Sequence, residues 1–266
     1  MQKAASTPIG DQLRLWRERR QLSQLELSLR ADSSARHLSF VETGRAQPGR
    51  DLVLRLAEEL EIPLRERNRL LMAGGHAPVF QQRAFDDPSF DAVRGIITLA
   101  LETHKPFPAY VIDRHWTVVL SNAAVPELYE GVAEDLVRQP INAVRLMLHP
   151  QGLAPRILNL AAWHTHLTAQ LHRQFVMTSD PVLGTLLDEV STFGLDSRAE
   201  ATHKAAEGVA IPLEIMTRLG RLSFLSATTI FGTPLDITLE DIALEMLYPA
   251  DSFTRETIRR AAADRG

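Results

Sequence analysis

A chain of 266 residues is too long for one small domain and about the length of two. Its 45% hydrophobic and 23% charged residues describe a globular protein rather than a disordered one. No apolar run approaches the roughly 20 residues that a bilayer crossing needs, and no secretory signal opens the sequence. The absence of cysteine excludes disulfides, thiolate nucleophiles and thiolate metal sites, and it fits a reducing cytoplasm. The net charge of −4 is unevenly spread. Residues 1–80 carry 13 Lys and Arg against 10 Asp and Glu, a balance of +3, and the remainder carries 16 against 23, a balance of −7. The first part suits an anionic partner; the second would be repelled by one.

Residues 1–8 read as a flexible tail. Five helices then fit before Gly74-Gly75. Ile9, Leu13 and Trp16 fall at i, i+4 and i+7 and form one apolar stripe, with Arg14, Arg17 and Arg19 as solvated charges. Ser23 caps a second helix, Glu26 completes a capping box, and Leu25 and Leu29 are its expected buried members. Ser34 caps a third, whose inward pair is Leu38 and Val41. Asp51 precedes a fourth carrying Leu52, Leu56 and Leu60, and Pro63 opens a fifth over 65–73. Helices this short are marginal alone and must pack together. Residues 9–76 are therefore expected to form an all-α bundle, joined through a linker at 77–87 to a second domain at 88–266. Helices two and three, linked by Ala31-Asp32-Ser33, make a helix-turn-helix.

The segment 9–74 resembles the Cro/repressor (XRE)-type helix-turn-helix. The likeness lies in Leu22-Ser23-Gln24, in Leu38-Ser39-Phe40-Val41-Glu42-Thr43-Gly44-Arg45, and in Pro48 shortly after. The resemblance implies that Gln24 meets DNA backbone or a base edge. It also implies that Ala35, Arg36, His37 and Phe40 face the major groove, with Ser34 at the leading end of that helix. Spacing agrees, since Arg36 and Phe40 are i and i+4 on one face while Leu38 and Val41 point the other way. Such a face suits an arginine reading guanine and an apolar edge meeting a thymine methyl. Arg45 and Arg50 flank the next turn, placed for phosphates. The family usually has Gly then Val in the turn; Asp32 and Ser33 stand here, and Asp tolerates a left-handed backbone. Ala35 stands where glutamine is often found and gives up that residue's adenine contact. A helical bundle that binds protein is the alternative.

In the second domain a helix over 91–101 carries Val93, Ile97 and Leu101 four apart and stops before Pro106 and Pro108. Strands at 109–113 and 116–120 flank a tight turn, and Ser121-Asn122 lead into a helix from Ala124. A helical middle at 141–193 breaks at 149–152 and 179–181. A hairpin follows at 210–217 and 222–231, then a strand at 242–248 and a closing helix with Ile258, capped by Asp251 or Ser252. Two strands, a helical block and three antiparallel strands give the order of an α+β PAS-like domain. Two stretches resemble the MmyB-like ligand-binding domain over 88–262. One is His149-Pro150-Gln151-Gly152-Leu153-Ala154-Pro155-Arg156-Ile157 with Asn159 and Trp163; the other runs from Ser226 to Asp236, with Ala250 and Asp251 beyond it.

That resemblance implies a transcriptional regulator whose PAS-like domain holds an apolar cavity suited to fatty-acyl chains. An alkyl chain of about 14 carbons would gain roughly 10 kcal/mol gross on burial, at ~0.8 kcal/mol per methylene. Tyr110, Asn122, Arg156 and Trp163 are the candidate ligand-lining residues. Asn122 suits equally a cap on the following helix, and Arg156 an internal ion pair.

Catalytic patterns are absent from the sequence. On a helix His164 and His166 lie about 200° apart and share no face. No phosphate loop, nucleophile elbow or dinucleotide fingerprint occurs. The expectation is a cytoplasmic, non-enzymatic regulator without metal or cofactor beyond a possible fatty acid or similar apolar ligand. It would bind a near-palindromic operator in double-stranded DNA as a homodimer, with half-sites a helical turn apart. The alternative is a ligand-independent DNA-binding protein whose second domain serves dimerisation or partner recruitment.

Overall fold

The computed structural model describes residues 8–193, 210–232 and 234–264, so the expected tail lies outside the described residues except for Pro8. Its contacts divide the chain into two compact units. One comprises residues up to Phe85 together with 234–240, and the other comprises the rest.

The first unit opens with five helices: α1 (Ile9–Arg19), α2 (Gln24–Arg30), α3 (Ala35–Glu42), α4 (Arg50–Glu59) and α5 (Leu64–Ala73). Local chemistry sets the starts of α2 and α3. Ser23 Oγ accepts from the Glu26 N–H at 3.1 Å while the Ser23 N–H donates to Glu26 Oε2 at 2.8 Å, which closes the expected capping box. Ser34 Oγ accepts from the His37 N–H at 3.1 Å. Asp32 takes φ of 49° in the turn between them, the left-handed conformation that an Asp accepts at modest cost. Asp51 does not precede α4 but sits inside its first turn, behind Gly49 at the N-cap.

Leu13, Trp16, Leu38, Val41, Leu52 and Leu56 are buried, as the periodicities require. α2 departs from expectation. Leu25 and Leu29 are 59% and 70% exposed, and the buried face is Leu27, Ser28 and, just beyond the helix, Ala31. On seven residues with leucines at 25, 27 and 29, helical spacing alone leaves two opposed faces open. Arg17 is a second correction. It is no solvated charge, because its guanidinium donates from Nε and Nη2 to Glu42 at 2.7 and 2.8 Å, with both side chains largely buried.

Residues 234–240 close the unit. Glu240 Oε2 accepts the Leu64 N–H at 2.8 Å, satisfying a donor at the start of α5 where a helix end favours negative charge. Asp236 pairs with Arg83 at 2.9 Å.

The second unit holds α6 (Asp91–Thr103), then β1 (Ala109–Ile112) and β2 (Val118–Ser121), followed by α7 (Glu134–Val137), α8 (Ala143–Leu148), α9 (Leu160–Thr178) and α10 (Pro181–Ser191). β3 (Leu213–Thr217) and β4 (Gly220–Ile230) form the hairpin. A short α11 (Ile237–Glu240), which belongs to the first unit, precedes β5 (Ala243–Pro249) and α12 (Ser252–Ala263). The sheet is antiparallel throughout, in the order β2-β1-β5-β4-β3, so the last strand of the sequence is the central one. Side chains of its inner face, including Ile112, Ile215, Phe224 and Leu247, share one core with Val144, Trp163, Leu171 and Leu186 of the helices. Two turn-forming carboxylates anchor helices here: Asp251 Oδ1 accepts the Thr254 N–H at 2.6 Å at the start of α12, and Asp180 Oδ1 accepts the Val182 N–H at 3.0 Å at the start of α10. No α-helix starts at Ala124; a 3-10 turn spans Pro126–Tyr129 instead.

Candidate functional site

On α3, Leu38 and Val41 turn inward and a basic-aromatic ridge faces out. The Arg36 guanidinium lies 5.5 Å from the Phe40 ring centroid and that of Arg45 lies 6.0 Å from it. Phe40 is half-buried, and Arg36 and Arg45 are exposed on either side of it. Ser34 and His37 are exposed at the leading end of the helix, with Ala35 partly covered between them. The Ser34 hydroxyl oxygen is engaged as a cap, which leaves its proton as a donor. Arg50 is exposed at the first position of α4. Six of the eight residues read from the sequence thus lie on α3, at its N-cap or in the turn that follows it, and Arg50 opens the next helix. Gln24 is placed differently: its Nε2 donates to Glu42 Oε2 at 2.8 Å, so its amide is tied into the Arg17–Glu42 pair and its oxygen remains the available acceptor.

Cationic donors flanking an apolar ring on one exposed helix face suit major-groove base edges. The helix is held rigid from behind. Arg17 bridges α1 to the end of α3, and Arg55 Nε donates to Ala31 O at 3.0 Å at the end of α2.

Two cavities stand out among the described residues of the second unit. The larger, of about 700 Å³, lies among the β3–β4 hairpin, α12 and the segment around Pro126; Leu128, Leu222, Phe224 and Ile258 are among its walls. Its rim carries Glu127, Glu130 and Asp264, and Arg218 pairs with Glu130. The smaller, of about 270 Å³, lies between the inner face of the sheet and α8 and α9.

Tyr110 and Trp163 line the smaller cavity, and the structure brings them together as the sequence reading grouped them. Asn122 and Arg156 line neither of these two cavities. Asn122 is 2% exposed, and its side chain is spent on backbone: Oδ1 accepts from Ala109 and Ala124, and Nδ2 donates to Leu101 O and Phe107 O. Arg156 Nη2 donates to Leu128 O, and its Nε is buried without a hydrogen-bond partner among the described residues. Burial pulls that guanidinium below its ordinary pKa, against the opposing pull of Glu130. Burial also drives the Tyr110 phenol well above its ordinary range, aided by the nearby charge of Glu245, so it stays neutral.

Ser226, Thr228 and Glu245 are among the residues of the smaller cavity that the sequence did not single out as ligand-lining. Their signal was present, as a lone acid inside the apolar strand Ala243-Leu244-Glu245-Met246-Leu247 and two hydroxyls at period two. Among the described residues no cluster of three or more His, Asp or Glu could hold a metal ion.

A helix-turn-helix with an exposed basic ridge, followed by an α+β unit with cavities, defines a DNA-binding transcription regulator with a ligand-binding domain. Family comparison agrees in both halves: residues 13–67 match a helix-turn-helix family, and residues 93–261 match the MmyB-like transcription regulator ligand binding domain. That second match covers more than half of the chain, and the chain belongs to this MmyB-like family. No curated protein matches. Among solved structures the chain is similar to one titled "Structure of an RNA-binding Light-Oxygen-Voltage Receptor", at 14% identity and a TM-score of 0.28. The match covers 98% of this chain and 65% of that one, and a likeness that low carries no argument.

Proposed function

We propose that the protein is a cytoplasmic, non-enzymatic regulator that reads a near-palindromic operator as a homodimer and responds to a small apolar ligand such as a fatty acid or acyl compound. The observation that carries the DNA half is the ridge made by Arg36 and Phe40 on α3 with Arg45 in the turn after it. Homodimerisation is favoured because one such helix contacts few base pairs, and two half-sites a turn apart supply the missing specificity. A PAS-like character for the second unit is supported by its sheet order β2-β1-β5-β4-β3 with the helical block inserted between β2 and β3. The larger cavity supports an apolar ligand. Its volume of about 700 Å³ lies within the roughly 300–1,000 Å³ range of small-molecule sites, and its walls are mostly hydrocarbon.

The DNA half is tested by selecting binding sites from random duplexes and comparing two variants. Arg36→Ala relaxes discrimination at one base position by about 1–3 kcal/mol. Arg50→Ala weakens all sequences alike and lowers the salt slope by about one. Two variants indistinguishable from the parent would remove α3 as the reading helix. The ligand half is tested by native mass spectrometry followed by denaturing extraction: a stoichiometric acyl compound supports it, and the same spectrum reports the dimer. Acyl compounds that fail to bind when added back would leave the second unit as a dimerisation or recruitment module.

A further inference from the structure

The smaller cavity has chemistry that an acyl ligand does not use. Its floor is a row of side chains across the sheet, where Glu245 on central β5 is paired in register with Tyr110 on β1 and with Thr228 on β4. Ser226, two residues before Thr228, points to the same face. Glu245 is 8% exposed, and its carboxylate accepts from Ser226 Oγ at 2.6 Å and Thr228 Oγ1 at 2.7 Å. Among the described residues no cation pairs with it. A buried carboxylate held only by neutral hydroxyls is poorly compensated, and an apolar residue would fill the same inward position without that desolvation cost. The two hydroxyls fix the carboxylate's direction and leave lone pairs for a further donor.

The walls suit the body of such a donor. Trp116 and Trp163 line the cavity, and their indole N–H groups are already engaged, by Gln174 Oε1 at 2.8 Å and Pro212 O at 2.7 Å. What they offer the cavity is apolar ring surface. Above the floor, the roof on α9 carries His166, which stands edge-on to Trp163 with centroids 5.6 Å apart, and Arg173, which is exposed at the edge. At about 270 Å³ the space falls just under the roughly 300 Å³ at which drug-sized ligands begin, so the occupant is small.

We propose that this smaller cavity is a binding site for a small organic amine, with Glu245 receiving its ammonium group and the two indoles packing against its hydrocarbon body. Aromatic faces beside a carboxylate are a recurrent way to hold an organic cation. The site is separate from the apolar cavity and does not depend on what fills that one.

The test is calorimetric titration of the full chain with benzylamine, benzyl alcohol and benzoate, three probes of one shape and different charge. Benzylamine binds one per chain and at least tenfold more tightly than either of the others. In Glu245→Gln, which keeps the shape, an acceptor for one of the two hydroxyls and an N–H that the other can accept, benzylamine weakens at least tenfold while DNA affinity is unchanged. Undetectable benzylamine binding, benzyl alcohol equal to the amine, benzoate tighter than the amine, or undiminished amine binding by Glu245→Gln each overturns the proposal. If circular dichroism shows that variant to be misfolded, the order of the three probes on the parent protein decides.

Discussion

The two units each bury a glutamate, and the two are satisfied in opposite ways. Glu42, 6% exposed, ends α3 and is saturated from within by Nε and Nη2 of Arg17 and by the amide of Gln24. Glu245, 8% exposed, sits on the middle strand of the other unit's sheet and has two hydroxyls. Charge complemented by charge makes a rigid joint. Charge complemented by neutral dipoles, beside a cavity, leaves capacity for something from outside. The contrast separates a unit built to present a fixed surface from one built around internal space.

Breaking the first arrangement carries the largest expected effect. Glu42→Ala takes from the buried Arg17 guanidinium its close carboxylate partner and leaves only the Leu22 carbonyl at 2.9 Å and Glu18 at 4.0 Å, a change that costs about 3–5 kcal/mol, read as a drop in denaturation midpoint together with lost operator binding. The double change Arg17→Met with Glu42→Leu recovers most of that loss, because the desolvated charges go together. If both variants were equally unstable, hydrocarbon packing rather than charge pairing would be what Glu42 supplies.

The next effect probes a charge in the second unit that is saturated like Glu42. Asp180 caps α10 and accepts from His115 Nε2 at 3.0 Å and Arg114 at 2.8 Å. Burial alone would raise its pKa, but the hydrogen bonds from His115 and Val182 and the charge of Arg114 outweigh it, and the net shift is downward. An aspartate depressed in the folded state contributes stability that is fully present above its unfolded pKa of about 3.9 and is lost as pH falls through the lower folded value. Asp180→Asn keeps an oxygen to cap α10 but loses the charge that Arg114 and His115 complement. It costs about 1.5–3 kcal/mol at neutral pH, the range of a hydrogen bond to a charged group, and the gap to the parent narrows below about pH 4. A gap constant from pH 7 to pH 3 would show that the charge of Asp180 contributes nothing.

The smallest effect is the sharpest discriminator. Glu245→Leu is expected to leave the second unit as stable as the parent or about 1 kcal/mol more stable, as replacing buried charge with hydrocarbon often does. Measured by thermal unfolding without added ligand, a loss as large as that of Glu42→Ala would make the two glutamates alike and erase the distinction.

Much of this was legible residue by residue. Ser23, Glu26 and Ser34 announce helix starts because a cap is a bond between neighbours three residues apart. The strands and the β3–β4 hairpin follow from short-range alternation and the turn at Gly220, whose φ of 101° few other residues accept. The outward ridge of Arg36 and Phe40 follows from helical spacing alone. The choice of Leu27 over Leu25 and Leu29 did not follow, since a seven-residue helix offers two opposed stripes and only its neighbours select one. Nor did the role of Arg17, whose partner lies 25 residues on, or the closeness of α1 to the end of α3, where a Cβ on Gly10 would fall 2.4 Å from Val41 O.

The cavity with Glu245 is the extreme case. Its floor joins residues 110, 226, 228 and 245 through strand register, and register is decided by the packing of the whole sheet on its helices. Local order in this chain is written in bonds between near neighbours. The joints and cavities that give the chain its chemistry are made by residues far apart in sequence, and folding alone brings those together.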